Sequence, residues 1–593
     1  MTETGQDQTL HMEDWQAIAE KSQRLMQDFA SRQGDTSGQM EDMMRMSEVF
    51  MQASMQLMTD PAKLAEAQAN LWKGYMDLWQ QTALRMAGQD VEPVVKPDGD
   101  DRRFKDEEWT QNAVFDYMKQ SYLLSSNWIQ DLMGGVDGLD PKIKKKLEFY
   151  TKLYADALSP TNFAATNPEV LRATAETKGE NLVKGLKNLL DDFERGKGQL
   201  AVKMVDNDAF EIGKDLATTP GKVVFQNDLI QLIQFTPTTK KVHKKPLLIV
   251  PPWINKYYIL DLKPKNSFIR WVVEQGYTTF VVSWVNPDAK LAMKTFDDYM
   301  LEGPIAALDA VEKATGESSV NILGYCIGGT LVACTAAYLA AQKDKRLSSA
   351  TFLTSLTDFE QVGEIDVFID EEQVQNLEKM MNERGYLEGS EMAATFNTLR
   401  ANDLVWSFVI NNYLMGKEPF PFDILFWNGD STRMPAAMHS AYLRRLYLDN
   451  ALSKGELELA GTRIDLTKVK VPTYLLSTRE DHIAPWESTY KATQLYSGDT
   501  TFTLAASGHV AGVVNPPEKN KYGYWTNAEN PAQPEAWLEG AEQHEGSWWP
   551  NWEAWLAKQS GAMVAARVPG KGELKVIEDA PGSYVKLDLR KAS

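Results

Sequence analysis

From about residue 14 to 86, apolar residues recur at three- and four-residue intervals among polar neighbours, with almost no proline or β-branched runs, a pattern that predicts amphipathic helices. A stretch at 91–101 carrying Pro93, Pro97, Gly99, Glu92, Asp98, Asp100 and Asp101 reads as a linker. A second helical block is expected over about 109–195. Beyond about 203, short β-rich runs alternate with helical stretches, the signature of a parallel sheet with crossover helices. Strands are expected at 246–250, 278–284, 320–323, 350–354, 471–477 and, last in the series, 500–504, with a helix over 296–314. Between 356 and about 448 the alternation gives way to an acidic, aromatic, irregular stretch, and an insertion of that size over a sheet forms a cap or lid. The expected division is a helical region, 1–203, and an α/β region, 204–593, that carries the cap.

Composition narrows the function. With 43% hydrophobic residues the chain can bury a substantial core, and 62 Lys+Arg against 82 Asp+Glu give a formal charge of −20, which repels nucleic acid. Residues 1–24 have neither a basic leader nor an apolar core, and the longest apolar runs, such as 331–341, fall far short of the roughly 18 residues of a membrane span. A cytoplasmic protein is therefore expected. Seven methionines, Met40, Met43, Met44, Met46, Met51, Met55 and Met58, give the N-terminal helices a pliable apolar stripe, either their own core or a face for an irregular partner. Two cysteines, Cys326 and Cys334, without a CxxC pair, support neither a disulfide framework nor a cysteine-rich metal site.

The chemistry concentrates at Gly324-Tyr325-Cys326-Ile327-Gly328-Gly329, between an expected strand and an expected helix. That is the setting of a nucleophile elbow, in which glycines permit the sharp turn and the close approach of helix to strand. The scaffold that uses such an elbow is the α/β-hydrolase fold, and it needs an acid after a later strand and a histidine after the last one. Asp481 and His509 stand at those two places, with Glu480 as the alternative acid and His482 as the alternative base. His509 would take the thiol proton while Asp481 fixes its tautomer. A thiolate forms readily beside a histidine and exchanges thioesters without a large energy difference, so thioester substrates are the natural expectation. The oxyanion hole should combine the backbone N–H of Ile327 with one from the loop Pro251-Pro252-Trp253-Ile254-Asn255, where the prolines cannot donate and Ile254 is preferred. Cys334, about 12 Å along the helix axis from Cys326, should be a small buried apolar residue. His11, His243, His439 and His544 read as surface or satisfied core positions. No carboxylate and histidine cluster has metal-ligand spacing and no dinucleotide fingerprint follows a strand, so no metal or cofactor is expected.

Several further stretches give the chain a resemblance. They are DRRF at 101–104 with Trp109, SPTNFAATNPEVL at 159–171, PPWINKYYILDL at 251–262, GYCIGGT at 324–330, FDILFWNGD at 422–430, REDH at 479–482, SGHVAG at 507–512 and GSWWPNWEAWL at 546–556. Together they resemble the class I polyhydroxyalkanoate synthases, bacterial enzymes that polymerise 3-hydroxyacyl-CoA, over nearly everything after about residue 100. The resemblance implies that Cys326, Asp481 and His509 are the catalytic residues, that Cys326 carries the acyl group, and that the next monomer's hydroxyl displaces it. It also implies a homodimer, a mobile lid over the cysteine, a short-chain substrate such as (R)-3-hydroxybutyryl-CoA, and attachment to polyester granules and their associated proteins through the N-terminal region. His482, Arg400 and Asp261 are candidates for substrate or coenzyme A contact or for shaping loops, and the basic run Lys240, Lys241, Lys244 and Lys245 is a solvated face or a phosphate contact. Trp548, Trp549, Trp552 and Trp555 read as core of a terminal helix.

Overall fold

A computed structural model describes residues 20, 21, 24, 37–99, 101–196 and 200–591. His11, Asp100, most of the helical pattern expected before residue 37 and the side chains of Met40, Met43 and Met44 lie outside the described residues. The chain packs as two units, one running to Asp206 and including Arg400–Phe420, the other made of Asn207–Leu399 and Pro421–Ser593.

The first unit is helical. Its long elements are α1 (Ser37–Met58), α2 (Pro61–Met86), α3 (Ala113–Gly134), α4 (Pro141–Ala157) and α5 (Glu180–Arg195). Sequence sets their starts: Asp60 and Asp140 accept hydrogen bonds from Lys63 N and Lys142 N, and Pro61 and Pro141 occupy first-turn positions where no N–H is needed. Ala53, Leu57, Leu132, Val136 and Leu147 form its core. Met51, Met55 and Met58 are exposed, as are Trp72, Met76 and Trp79, whereas Met46 is half-buried and accepts a hydrogen bond from Tyr154 OH at 3.5 Å. Arg400–Phe420 is held to α5, with Asn181 Nδ2 donating to Leu414 O at 2.8 Å and Tyr413 OH to Asp192 at 2.6 Å. The insertion expected at 356–448 thus does not pack as one piece.

The second unit is built on a sheet of eleven strands: β1 (Gly221–Gln226), β2 (Ile230–Phe235), β3 (Leu247–Val250), β4 (Thr279–Trp284), β5 (Val320–Tyr325), β6 (Leu347–Leu353), β7 (Thr473–Thr478), β8 (Thr500–Ala505), β9 (Gly523–Thr526), β10 (Glu542–Glu545) and β11 (Glu578–Asp579). Their spatial order is β10-β9-β8-β7-β6-β5-β3-β4-β2-β1-β11. The six strands from β8 to β4 are mutually parallel, and every residue of β3, β4 and β5 is buried, as a sheet covered on both faces requires. The flanks are antiparallel, so the strand at 500–504 is not the last: β9 and β10 extend the sheet beyond it. The helix expected at 296–314 is interrupted by a π-helical turn at Leu301–Ile305, because Pro304 lacks an N–H and Gly303 leaves helical dihedrals. The chain passes from β3 to β4 on one side and returns to β5 on the other, so the carboxyl ends of β3 and β5 frame the switch point where open α/β sheets place their sites. Among the described residues no helix is long and apolar enough to cross a membrane.

Candidate active site

β5 ends at Tyr325 and helix α6 (Ile327–Ala341) starts at Ile327, leaving Cys326 alone in the turn. Its φ of 54° and ψ of −128° are costly for a non-glycine residue, about 1–3 kcal/mol, and aim the thiol away from the sheet. The turn is fixed by Cys326 N donating to Leu353 O of β6 at 2.9 Å and by Gly329 N donating to Cys326 O at 2.9 Å. Side chains are excluded around it: a Cβ on Gly328 would overlap the carbonyl oxygens of Val250 and Pro251, and one on Gly329 would overlap Ser355.

Asp481 sits in the turn after β7. Its Oδ1 accepts the N–H groups of Ile483 and Ala484, both at 2.9 Å, and its Oδ2 accepts Thr478 Oγ1 at 3.1 Å. The same Oδ2 meets His509 Nδ1 at 2.7 Å, which leaves the other ring nitrogen for the thiol. Tyr325, the neighbour of the cysteine, stacks on the imidazole at 5.6 Å and donates its hydroxyl to His509 O at 3.1 Å. The loop that carries His509 is held from behind by the helix Trp549–Gln559: Trp548 Nε1 donates to Gly512 O and Trp549 Nε1 to Val513 O, at 3.0 and 2.9 Å. Trp548, Trp549, Trp552 and Trp555 are all buried, so they are core, and two of them hold the loop that carries His509.

Electrostatics follow from this packing. Burial favours the neutral forms, but the Asp481 carboxylate and the Cys326 thiol together raise the His509 imidazole well above its ordinary 6.5. Burial likewise opposes the Asp481 charge, yet His509 and the N–H groups of Ala484 and Ile483 prevail and hold its carboxyl below 3.8. The assembly can therefore keep an imidazolium beside the thiol and return its proton to a leaving group.

The N–H groups of Ile327 and Ile254 donate to no backbone carbonyl among the described residues, and the same is true of Trp253 and Asn255. The loop bearing Ile254 is pinned by Thr432, whose N and Oγ1 donate to Ile254 O at 3.1 and 2.8 Å, and by a bridge between Asn255 and Ser431. Ile254 also lines a cavity of about 120 Å³ together with Tyr442 and Tyr447, whose phenols lie within electrostatic reach of Cys326. Five residues apart, these tyrosines would point about 140° apart on an α-helix. Helix α7 (Ala436–Tyr442) instead continues as a π-helical turn over Leu443–Leu448, which brings their hydroxyls to 3.4 Å.

The rival candidates fall elsewhere. Glu480 is exposed, and the histidine in contact with Asp481 is His509 rather than the half-buried His482. Asp261 is buried and accepts Thr219 Oγ1 and Ser267 Oγ, each at 2.6 Å, which makes it a loop brace. Arg400 belongs to the helical unit and pairs with Asp403 at 2.6 Å. Cys334 is buried, and desolvation pushes its thiol up, which leaves it inert. Lys240, Lys241 and Lys244 are exposed and Lys245 donates to Ser348 at 2.7 Å. Sequence reasoning missed Tyr325, Thr478, Tyr442, Tyr447 and the role of the tryptophans; only Tyr325, inside the glycine-rich turn, carried a local signal.

Two family models match the chain and overlap at residues 253–272. Residues 100–272 match the family described as the poly-beta-hydroxybutyrate polymerase (PhaC) N-terminus, and residues 253–516 match the alpha/beta hydrolase fold. The chain is 51% identical over 529 residues to the poly(3-hydroxyalkanoate) polymerase of Methylorubrum extorquens, covering 89% of this chain and 87% of that one. It is 49% identical over 530 residues to the poly(3-hydroxyalkanoate) polymerase subunit PhaC of Rhizobium meliloti, with the same coverage. Identity to the corresponding subunit of Cupriavidus necator is 45% over 533 residues, 89% of each chain.

Proposed function

This chain belongs to the poly(3-hydroxyalkanoate) polymerase family, and from that premise we propose that it polymerises (R)-3-hydroxyacyl-CoA, with short-chain units such as 3-hydroxybutyryl, through an acyl group carried on Cys326. The observation that carries the reading is a cysteine held in a strained elbow against a buried histidine–carboxylate pair at 2.7 Å. The Cys326 sulfur attacks the thioester carbonyl, the oxyanion is received by the N–H groups of Ile327 and Ile254, and the coenzyme A thiolate leaves with the proton held by His509. A hydroxyl then enters, gives its proton to His509 and attacks the acyl-cysteine. An ester bond forms, the Cys326–acyl bond breaks, and the sulfur is free for the next unit. Asp481 keeps the imidazole oriented and stabilises its charged form in both halves.

The exposed Trp72, Met76 and Trp79 of α2, with Met51, Met55 and Met58 of α1, supply an apolar face suited to the surface of the polyester or to the proteins that coat it. A homodimer in the cytoplasm at the granule surface is the assembly in keeping with this family reading. The test is coenzyme A release from (R)-3-hydroxybutyryl-CoA by the purified protein and by Cys326→Ala, with insoluble polymer weighed against free acid. Polymer that accumulates with coenzyme A release and vanishes in the variant supports the proposal. Release with only free acid makes the protein a thioesterase.

A further inference from the structure

A trans peptide is planar, with its C=O and N–H pointing in opposite directions, so whatever holds the one aims the other. In the loop after β3, one residue holds two successive peptides in this way. The Thr432 hydroxyl donates to Trp253 O, the carbonyl of the peptide that carries Ile254 N. Thr432 N donates at 3.1 Å to Ile254 O, the carbonyl of the peptide that carries Asn255 N, and the hydroxyl also reaches that oxygen at 2.8 Å. Both carbonyls therefore face Thr432, and the N–H groups of Ile254 and Asn255 are turned away from it. No backbone carbonyl among the described residues accepts either N–H. No backbone N–H among them reaches Trp253 O either, so the orientation of the Trp253–Ile254 peptide falls to the threonine hydroxyl.

The place of Thr432 is itself fixed. It is 2% exposed, and the residues before it are fastened along the same loop. Ser431 bridges Asn255, and Asp430 takes Lys256 Nζ at 2.6 Å and Tyr258 OH at 2.9 Å. Trp427 Nε1 donates to Lys256 O at 2.7 Å. The Lys256 and Asp430 side chains are both buried, and parting them would leave an uncompensated charge in the interior. The C-terminal residues close the frame, with Lys256 Nζ donating to Leu587 O at 2.7 Å and Arg590 to Phe426 O at 3.0 Å. With its backbone held so firmly, Thr432 keeps its hydroxyl on Trp253 O. Remove that hydroxyl and the Trp253–Ile254 peptide is free to rotate, which carries the N–H off its line and brings a carbonyl oxygen toward where the N–H stood.

We propose that Thr432 is a positioning residue for acyl transfer: its hydroxyl, through Trp253 O, aims the Ile254 N–H at the oxyanion that forms on the thioester carbonyl. The inference rests on the polymerase reading above, in which Ile254 is an oxyanion donor, and adds the side chain that orients it. Thr432 touches neither the thiol nor the substrate in this role. It acts on steps that pass through a tetrahedral oxyanion and leaves the reactivity of the Cys326 thiol to Asp481 and His509.

The test follows two reactions of that thiol in the full chain, in Thr432→Val and in Thr432→Ser. Single-turnover coenzyme A release from (R)-3-hydroxybutyryl-CoA, at saturating protein, passes through the oxyanion. Alkylation of Cys326 by iodoacetamide, followed by the mass of its peptide, does not, and it reports the triad alone. Valine keeps the shape of threonine without the hydroxyl, whereas serine keeps the hydroxyl without the methyl group. Loss of a whole oxyanion donor costs about 10²–10³-fold, so Thr432→Val is expected to slow release at least about tenfold while alkylation stays within about threefold. Thr432→Ser is expected to keep release within about threefold of the unaltered protein. Release by Thr432→Val within about twofold of the unaltered protein overturns the inference and leaves the polymerase reading intact. An equal fall of release and alkylation, or a fall in Thr432→Ser as deep as in Thr432→Val, also overturns it, because either result makes Thr432 a packing residue only. No release by the unaltered protein overturns the polymerase reading, and this inference with it.

Discussion

At the scale of single residues, the proposed mechanism makes the Asp481–His509 pair the control of both rate and pH response. The Asp481 charge is the leading favourable cause of the raised His509 imidazole, so Asp481→Asn should move the alkaline limb of single-turnover acylation to lower pH. It should also slow acylation by about two to four orders of magnitude, measured as coenzyme A release across a pH series. The pair contributes to stability with opposite limits. Asp481, held below 3.8, stabilises the fold above that value and loses its contribution as pH falls through the lowered folded value. His509, raised above 6.5, contributes fully below that value and loses its contribution as pH rises through the raised folded value. The triad was legible in the sequence because its members obey a chain order and a loop position that local pattern reveals. Tyr325 and Thr478 were not singled out because their roles depend on contacts made only when distant loops converge.

Elements carry the next level of constraint. Gly328 lies where α6 touches the carboxyl end of β3, so Gly328→Ala should lower the thermal unfolding temperature and abolish acylation together, since the overlap is with backbone rather than with a movable side chain. Trp549→Phe keeps most of the packing but removes the hydrogen bond to Val513 O, and should cost about 1 kcal/mol in denaturant unfolding while slowing acylation more than coenzyme A ester binding. The parallel strands were readable from their continuous apolar runs. The antiparallel flanks were not: β1 and β2 went unassigned and β9, β10 and β11 lie beyond the expected end, because short polar strands such as Glu542–Glu545 take their structure from a neighbour's edge. The π-helical turn at Leu443–Leu448 is likewise invisible in a helical pattern, yet it sets the tyrosine pair beside the thiol.

For the whole molecule, the proposed triad and the apolar face proposed for granule attachment belong to different units of the chain. Replacing Trp72 and Trp79 by glutamine should therefore leave coenzyme A release from soluble substrate in place and reduce the fraction of protein that sediments with preformed polyester granules. The sequence division near 203 lies close to the packing division at Asp206, but the assignment of Arg400–Phe420 to the helical unit arises from long-range contacts with α5 that no local pattern announces. The central claim is that the acyl group rides on Cys326, and its most direct test is the mass of the peptide carrying that residue after brief mixing with (R)-3-hydroxybutyryl-CoA and acid quench. A hydroxybutyryl adduct on Cys326, formed as fast as coenzyme A is released and absent from Cys326→Ala, is the predicted result. Polymer formed by Cys326→Ala, or an adduct confined to Cys334, would contradict the account.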